Sequence, residues 1–143
     1  MDYLYSENEI TDIASKIVAT LRPSETQATV LALQGDLGAG KTTLTKIVAE
    51  KLGVRETIVS PTFVIAKFYP AIEYGFENLV HIDAYRIESL SELEPLGWGK
   101  ILQQPRTLVV VEWPEKIAEA LPKEKTQFTI SHENDKRRIK QLS

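Results

Sequence analysis

Eight consecutive residues, 35–42, have the types and spacing of a phosphate-binding loop. They read Gly-Asp-Leu-Gly-Ala-Gly-Lys-Thr, which is the pattern G-x-x-x-x-G-K-T. Gly35 and Gly40 let the backbone curl so that its N–H groups point inward at a β-phosphate. Lys41 places a cation on the β- and γ-phosphates, and Thr42 offers a hydroxyl to Mg²⁺. The chemistry that this pattern predicts is the binding of a nucleoside triphosphate.

The sequence on either side of this loop predicts a strand before it and a helix after it. Residues 30–33 are apolar and indicate a buried strand. After the loop, apolar residues recur at helical spacing, at Leu44, Ile47, Val48 and Leu52. A helix that begins near Lys41 adds its N-terminal dipole to the attraction for phosphate. The strand, loop and helix together favour a triphosphate site over a glycine-rich turn that binds nothing.

Two other predicted strands end in a carboxylate. Residues 80–82 lead into Asp83, and residues 109–111 lead into Glu112. An enzyme with this loop needs such a carboxylate at a neighbouring strand tip, to hold Mg²⁺ or to orient the attacking water. Both tips are expected at the carboxyl edge of the sheet, beside the loop. Asp83 and Glu112 are therefore candidate catalytic residues, and their types leave open which of them activates water.

Four further residues have types that suit a nucleotide site. Trp113 follows Glu112 directly, where an indole either stacks on a base or packs in the core. Thr62 follows the first nucleotide-site helix, where nucleotide switches keep a threonine that senses the γ-phosphate, although a turn into a strand is the simpler interpretation. The basic residues Arg137 and Arg138 suit a phosphate, RNA or an acidic partner, or a solvated edge.

Composition narrows the class of protein. The chain has 143 residues, which predicts one domain over 1–143, and its net charge of −3 predicts no general attraction to nucleic acid. It has no cysteine, so disulfides, thiolate catalysis and cysteine-based zinc sites are excluded. No apolar run approaches the roughly 18–20 residues of a membrane span, and the N-terminus lacks the pattern of a signal peptide. We therefore expect a cytoplasmic protein with no membrane contact. ATP is expected rather than GTP because no Asn-Lys-x-Asp motif is present.

The predicted elements indicate an α/β fold. Capping boxes at Ser6-x-x-Glu9 and Ser89-x-x-Glu92 predict helix starts, and a helix is predicted from about Pro114. Besides the strand before the loop, strands are predicted near 57–59, 62–69, 79–82 and 107–111, with edge strands near 127–130 and 138–140. This order favours a P-loop NTPase-like three-layer sandwich with a mixed, mainly parallel central sheet.

Four motifs in this order resemble those of the bacterial TsaE family, formerly called YjeE. They are the loop at 35–43, Ser-Pro-Thr-Phe at 60–63, His-Ile-Asp-Ala-Tyr-Arg at 81–86 and Val-Glu-Trp-Pro at 111–114. The resemblance implies a weak Mg²⁺-dependent ATPase required for the tRNA modification N6-threonylcarbamoyladenosine, t6A. It implies TsaD and TsaB as protein partners, with tRNA reached indirectly through their complex. ATP hydrolysis would reset that complex between turnovers.

The resemblance also implies roles for single residues. The nucleotide-binding loop comprises Gly35, Asp36, Leu37, Gly38, Ala39, Gly40, Lys41, Thr42 and Thr43. Thr42 and Glu112 correspond to Mg²⁺ ligands, and Lys41, Asp83 and Glu112 to the catalytic residues. Trp113 would lie against the adenine, and Thr62 would be the switch residue. An arginine near the C-terminal strand would lie beside the nucleotide, as Arg137 or, alternatively, Arg138.

Two other functions use the same loop. A small-molecule kinase would add a substrate pocket and a basic lid over the phosphates, and no arginine-rich insertion of that kind is visible in the sequence. A non-catalytic adaptor would use nucleotide only to order its fold for docking. Transfer of phosphate to an acceptor distinguishes the kinase, and activity with a non-hydrolysable ATP analogue distinguishes the adaptor.

Overall fold

The strands form one mixed sheet in the computed structural model, which describes residues 1–58 and 65–142. In chain order they are β1 (Asp2–Tyr5), β2 (Thr29–Gln34), β3 (Ala66–Pro70), β4 (Asn78–Asp83), β5 (Thr107–Glu112), β6 (Thr126–Glu133) and β7 (Lys136–Gln141). Their order across the sheet is β1-β7-β6-β2-β5-β4-β3. The four strands from β6 to β4 are parallel, while β3, β7 and β1 are antiparallel to their neighbours. The predicted α/β fold with a parallel sheet centre is confirmed.

Helices cover both faces of this sheet and complete three layers. The α-helices are α1 (Ile10–Thr20), α2 (Lys41–Lys51) and α3 (Trp98–Leu102), and 3₁₀ helices span Glu7–Glu9, Leu90–Leu96 and Pro114–Ala120. One core cluster joins α1 and α2 to the sheet, and a second joins α3 and the last two 3₁₀ helices to the opposite face. Within the described ranges, no helix is long and apolar enough to cross a membrane.

The central strands are buried on both faces, as the run of β-branched residues in β5 indicates. All six residues of β5 are buried, including Glu112 at its end. Such continuous apolar strands are typical of parallel sheets that helices cover on both sides. The apolar stripe of α1 is buried, at Ile10, Ile13, Ala14, Ile17 and Val18. The capping boxes at Ser6 and Ser89 are both present.

The structure corrects the prediction for the C-terminal strands. We expected edge strands there, but β7 lies between β6 and β1, and β6 lies between β7 and β2. The reason is β1, which pairs with β7 in the register Tyr3↔Ile139 and occupies that sheet edge. Only Tyr5 of β1 is buried, so the strand lacks the alternation of apolar and polar residues from which a strand is predicted.

Three other predicted elements also differ from the structure. Residues 57 and 58 are not in a strand, and β3 begins only at Ala66 within the strand predicted for 62–69. The rest of those two segments, 59 and 62–64, lies outside the described residues. The helix expected from Pro114 is a 3₁₀ helix, which the non-helical backbone of Ile117 (φ −130°, ψ 28°) interrupts. A short segment of this kind has too few turns for apolar periodicity to separate 3₁₀ from α geometry.

Candidate nucleotide site

A cleft of about 560 Å³ opens at the carboxyl ends of β2, β4 and β5. Loop residues that follow β2 form one wall, and Asp83 and Glu112 lie at the ends of β4 and β5. Asp83 and Glu112 are register partners on adjacent parallel strands, which explains why two carboxylates 29 residues apart in the sequence reach one place. The carboxyl edge of a parallel sheet is where such folds bind ligands.

The loop reaches its shape through glycines at two positions with different demands. Gly40 has φ of +110° and is the residue before α2, a backbone conformation that other residues rarely adopt. At Gly35 the requirement is space, since a Cβ there would overlap the backbone carbonyl oxygen of Ile130 in β6. The loop therefore packs closely against the sheet at Gly35, and the left-handed backbone of Gly40 directs the chain into α2 at its other end.

Replacing Gly35 with alanine is expected to destabilise the protein without any ligand. The new methyl group meets a backbone oxygen that cannot move aside cheaply, so we expect a loss of about 1–3 kcal/mol in the free energy of unfolding. Gly99 is the matched control, because it lies in α3 with open space around its Cβ position and no positive φ. Gly99→Ala is expected to leave stability unchanged or raise it by up to about 1 kcal/mol. Urea unfolding of both variants checks this, and equal stabilities would contradict the steric argument.

Lys41 folds back over the loop that carries it. Its ammonium donates to the carbonyl oxygens of Gly35 at 2.5 Å and Asp36 at 2.9 Å, and it lies 4.3 Å from the ring centroid of Trp113. The side chain is buried, and this burial lowers the pKa of Lys41, while nearby carboxylates, Glu112 foremost, act in the opposite direction. The Lys41 ammonium is thus held inside the loop by two backbone carbonyl oxygens. A phosphate that enters the cleft can replace these oxygens as hydrogen-bond acceptors of the ammonium.

Glu112 is the most deeply placed acid of the cleft, with 2% of its surface exposed. One carboxylate oxygen, Oε1, accepts a hydrogen bond from the Thr42 hydroxyl at 2.8 Å. The other, Oε2, lies 2.5 Å from Nε2 of the buried His81. A buried carboxylate is costly unless it is paired in this way. Thr42 and Glu112, predicted to act together, are therefore in direct contact.

The donor atoms of Thr42 and Glu112 fit Mg²⁺. A hydroxyl and a carboxylate are hard oxygen ligands, and Mg²⁺ characteristically takes one or two such protein groups together with water and substrate phosphates. Among residues 1–58 and 65–142, no cluster of three or more His, Cys, Asp or Glu side chains is arranged to hold a metal ion. A hydroxyl–carboxylate pair of this kind suits an ion whose remaining positions are taken by water and phosphate oxygens.

Trp113 occupies the end of the cleft where the loop lysine lies. Its backbone is left-handed (φ 60°, ψ 50°), an unusual conformation for a bulky residue and one that turns the chain sharply after Glu112. The indole is 4.9 Å from the ring of Tyr85, centroid to centroid, and also packs against the apolar core of that face. Trp113 therefore both lines the cleft and packs in the core, so each of the two locations considered from the sequence describes part of its surroundings.

The whole chain compares closely with one family. The model of the family described as threonylcarbamoyl adenosine biosynthesis protein TsaE matches residues 4–139. The chain belongs to the TsaE family. It is 44% identical over 102 residues to the tRNA threonylcarbamoyladenosine biosynthesis protein TsaE of Streptomyces coelicolor, covering 71% of this chain and 67% of that one. With the protein of the same description from Bacillus subtilis, the identity is 41% over 126 residues, covering 88% and 73%.

A solved structure supports the same assignment. The crystal structure of YdiB from Bacillus subtilis superposes with a TM-score of 0.70 at 34% sequence identity. The match covers 97% of this chain and 82% of YdiB. The similarity therefore extends over the whole sheet and both helical layers, beyond the phosphate-binding loop that unrelated proteins share. The predicted P-loop NTPase-like architecture is confirmed for this TsaE-family chain.

The structure separates the two arginines that the TsaE resemblance left as alternatives. Arg137 lines the cleft, and its guanidinium lies 3.5 Å from the Gly38 carbonyl oxygen and 3.7 Å from the Glu7 carboxylate. Arg138, the next residue in β7, points elsewhere and pairs with Asp2 at 2.9 Å and Glu133 at 2.6 Å. Alternation along a strand sends neighbours to opposite faces. Arg137 is thus the arginine placed beside the phosphate-binding loop.

Two site residues were not singled out from the sequence. His81 contacts Glu112, and Nε2 of His132 in β6 lies 2.9 Å from the Gly38 carbonyl oxygen. A signal existed for His81 only, because a polar side chain inside an apolar strand needs a buried partner. Thr62, the predicted switch residue, lies outside the described residues.

Proposed function

We propose that this chain is a Mg²⁺-dependent ATPase, a single P-loop domain that supports t6A formation on tRNA by acting on a complex of TsaD and TsaB type. One observation carries the ATPase assignment. Lys41, Thr42 and Glu112 meet in one cleft, with Thr42 in direct contact with the buried carboxylate. Its relatives are tRNA threonylcarbamoyladenosine biosynthesis proteins, which supports the tRNA modification. A cytoplasmic location is part of the same proposal.

The loop and Lys41 would bind the triphosphate. The backbone N–H groups between Gly35 and Thr42 and the start of α2 favour an anion at this point. The Lys41 ammonium would exchange its bonds to the Gly35 and Asp36 carbonyls for phosphate oxygens, which are stronger acceptors because they are charged. Asp36 contributes only its backbone carbonyl to this contact.

Glu112 and Asp83 would have different roles in hydrolysis, one in binding the metal and the other in orienting water. Thr42 and Glu112 would hold Mg²⁺, which neutralises charge on the phosphate oxygens when it is bound. Asp83 is less buried than Glu112, and its Oδ1 accepts from the backbone N–H of Tyr85 at 3.1 Å. A partly exposed carboxylate that is fixed in this way in the lining of the cleft is suited to orient a water molecule. We therefore assign the metal to Glu112 and water to Asp83.

Products distinguish the ATPase from a small-molecule kinase. With Mg²⁺ and ATP, the purified chain should release ADP and inorganic phosphate in equal amounts, slowly when it is alone and faster with its protein partners. Quantifying both products over time tests this. ADP without matching free phosphate, together with a phosphorylated acceptor, would support the kinase and contradict the proposal.

Arg137 is expected to contribute to ATP binding, whereas Arg138 is not. Arg137→Gln removes one cation from the cleft and should weaken ATP binding about tenfold, the size of one charge-assisted hydrogen bond. Arg138→Gln removes the same charge from the next residue, whose partners Asp2 and Glu133 lie away from the cleft. Titration of each variant with a fluorescent ATP analogue measures the difference. Equal affinities for the two variants would contradict this placement of the nucleotide.

A further inference from the structure

His81 is a fully buried polar side chain to which the proposed function gives no task. It lies in the middle of β4, between the buried Val80 and Ile82, and has no exposed surface. Its Nε2 lies 2.5 Å from Oε2 of Glu112. Within residues 1–58 and 65–142, its Nδ1 has no hydrogen-bond partner. Among these residues, the polar contact of the ring is therefore directed to Glu112 alone.

The contact divides the two oxygens of Glu112 between two elements. An ionised carboxylate only accepts hydrogen bonds, so Nε2 of His81 is the donor to Oε2. This leaves Oε1 turned toward the Thr42 hydroxyl, 2.8 Å away at the start of α2. Without a partner on Oε2, the hydrogen bond from Thr42 to Oε1 would be left to hold the carboxylate of Glu112 in this orientation. His81 belongs to β4, which is paired with β5 on one side and β3 on the other, and this makes its ring a rigid support for that orientation.

We propose that His81 is a positioning residue that holds Glu112 with Oε1 presented to Thr42 and to the metal. The inference rests on the proposed function, because it concerns the same oxygen pair. His81 acts through Glu112 and touches neither metal nor nucleotide. Hydrogen-bond partners of this kind orient a metal ligand, and their loss typically lowers metal affinity by about 10- to 100-fold.

Two amide substitutions separate this role from general packing. His81→Gln places an amide N–H at nearly the reach of Nε2, whereas His81→Asn is one methylene shorter and cannot reach Glu112. The readout is binding of a fluorescent, non-hydrolysable ATP analogue, measured against Mg²⁺ concentration and again in EDTA. We expect His81→Asn to raise the half-saturating Mg²⁺ concentration about tenfold, with affinity in EDTA unchanged. His81→Gln should recover most of the Mg²⁺ response.

A second measurement guards against a folding effect. In a Glu112→Gln background, His81→Asn should cause no further loss of the Mg²⁺ response, since the group that it positions is already altered. Any one of three results would overturn the inference and leave the ATPase intact. They are an unchanged Mg²⁺ response in His81→Asn, an equal loss of that response in the Gln and Asn variants, and independent losses in the double variant. If the wild-type chain showed no Mg²⁺-dependent nucleotide binding, the proposed function would fall and this inference with it.

Discussion

Glu112→Gln is expected to reduce Mg²⁺-dependent ATP hydrolysis by roughly 100- to 1,000-fold, the loss of several kcal/mol of charge stabilisation. The substitution keeps the size of the side chain but removes its charge. In the wild type, both carboxylate oxygens accept hydrogen bonds, one from Thr42 and one from His81. The amide of the variant has only one oxygen acceptor, so it cannot accept both. Steady-state phosphate release measures the effect.

The control for Glu112 is Glu119→Gln, which removes the same charge from an exposed residue of the last 3₁₀ helix. Its hydrolysis should match the wild type. Nucleotide binding by Glu112→Gln in EDTA should also stay within about threefold of the wild type, since Glu112 is proposed to act through the metal. Full hydrolysis by the glutamine variant would show that Glu112 is not a metal ligand.

Lys41→Met is expected to weaken ATP binding by roughly 100-fold, because two charge-assisted hydrogen bonds to phosphate are lost. Lys46→Met is the matched control, as Lys46 is an exposed residue in the same helix. Isothermal titration with ATP and Mg²⁺ compares the two. Equal affinities would mean that the triphosphate does not bind in this loop.

Lys41→Met weakens ATP binding, but without nucleotide it should make the folded chain more stable than the wild type at neutral pH. Burial lowers the pKa of Lys41, so the unfolded chain binds that proton more tightly than the folded chain. The charged side chain therefore costs stability at neutral pH, and the cost falls as pH rises through the lowered pKa. Relative to Lys41→Met, the wild type should gain stability over that alkaline range. Urea unfolding as a function of pH measures this difference, and a relative loss of stability would contradict it.

The parts of the site that are local in sequence were predictable. The loop from Gly35 to Thr42 is continuous, β2 before it is an apolar run, and α2 after it has the apolar residues Leu44 and Val48 at helical spacing on its buried side. Asp83 and Glu112 each end an apolar strand, and parallel strands bring such ends to one edge. These inferences needed only the geometry of strands and helices.

The parts that depend on long-range pairing were not predictable. β1 pairs with β7 across more than 130 residues and has one buried side chain, so neither local pattern nor burial marked it. The contact of His81 with Glu112 depends on the register of β4 with β5, which no periodicity specifies. The choice of Arg137 over Arg138 likewise depends on which face of β7 meets the loop.

Counting the t6A molecules formed per partner complex tests whether this chain is a cycling ATPase. A purified TsaD–TsaB pair would receive tRNA, the threonylcarbamoyl donor and this chain, with ATP or with a non-hydrolysable analogue. We expect many rounds of t6A formation with ATP, and about one round with the analogue or without the chain. Equal numbers of rounds in all three reactions would contradict a cycling ATPase, and many rounds with the analogue would instead support an adaptor that only needs bound nucleotide.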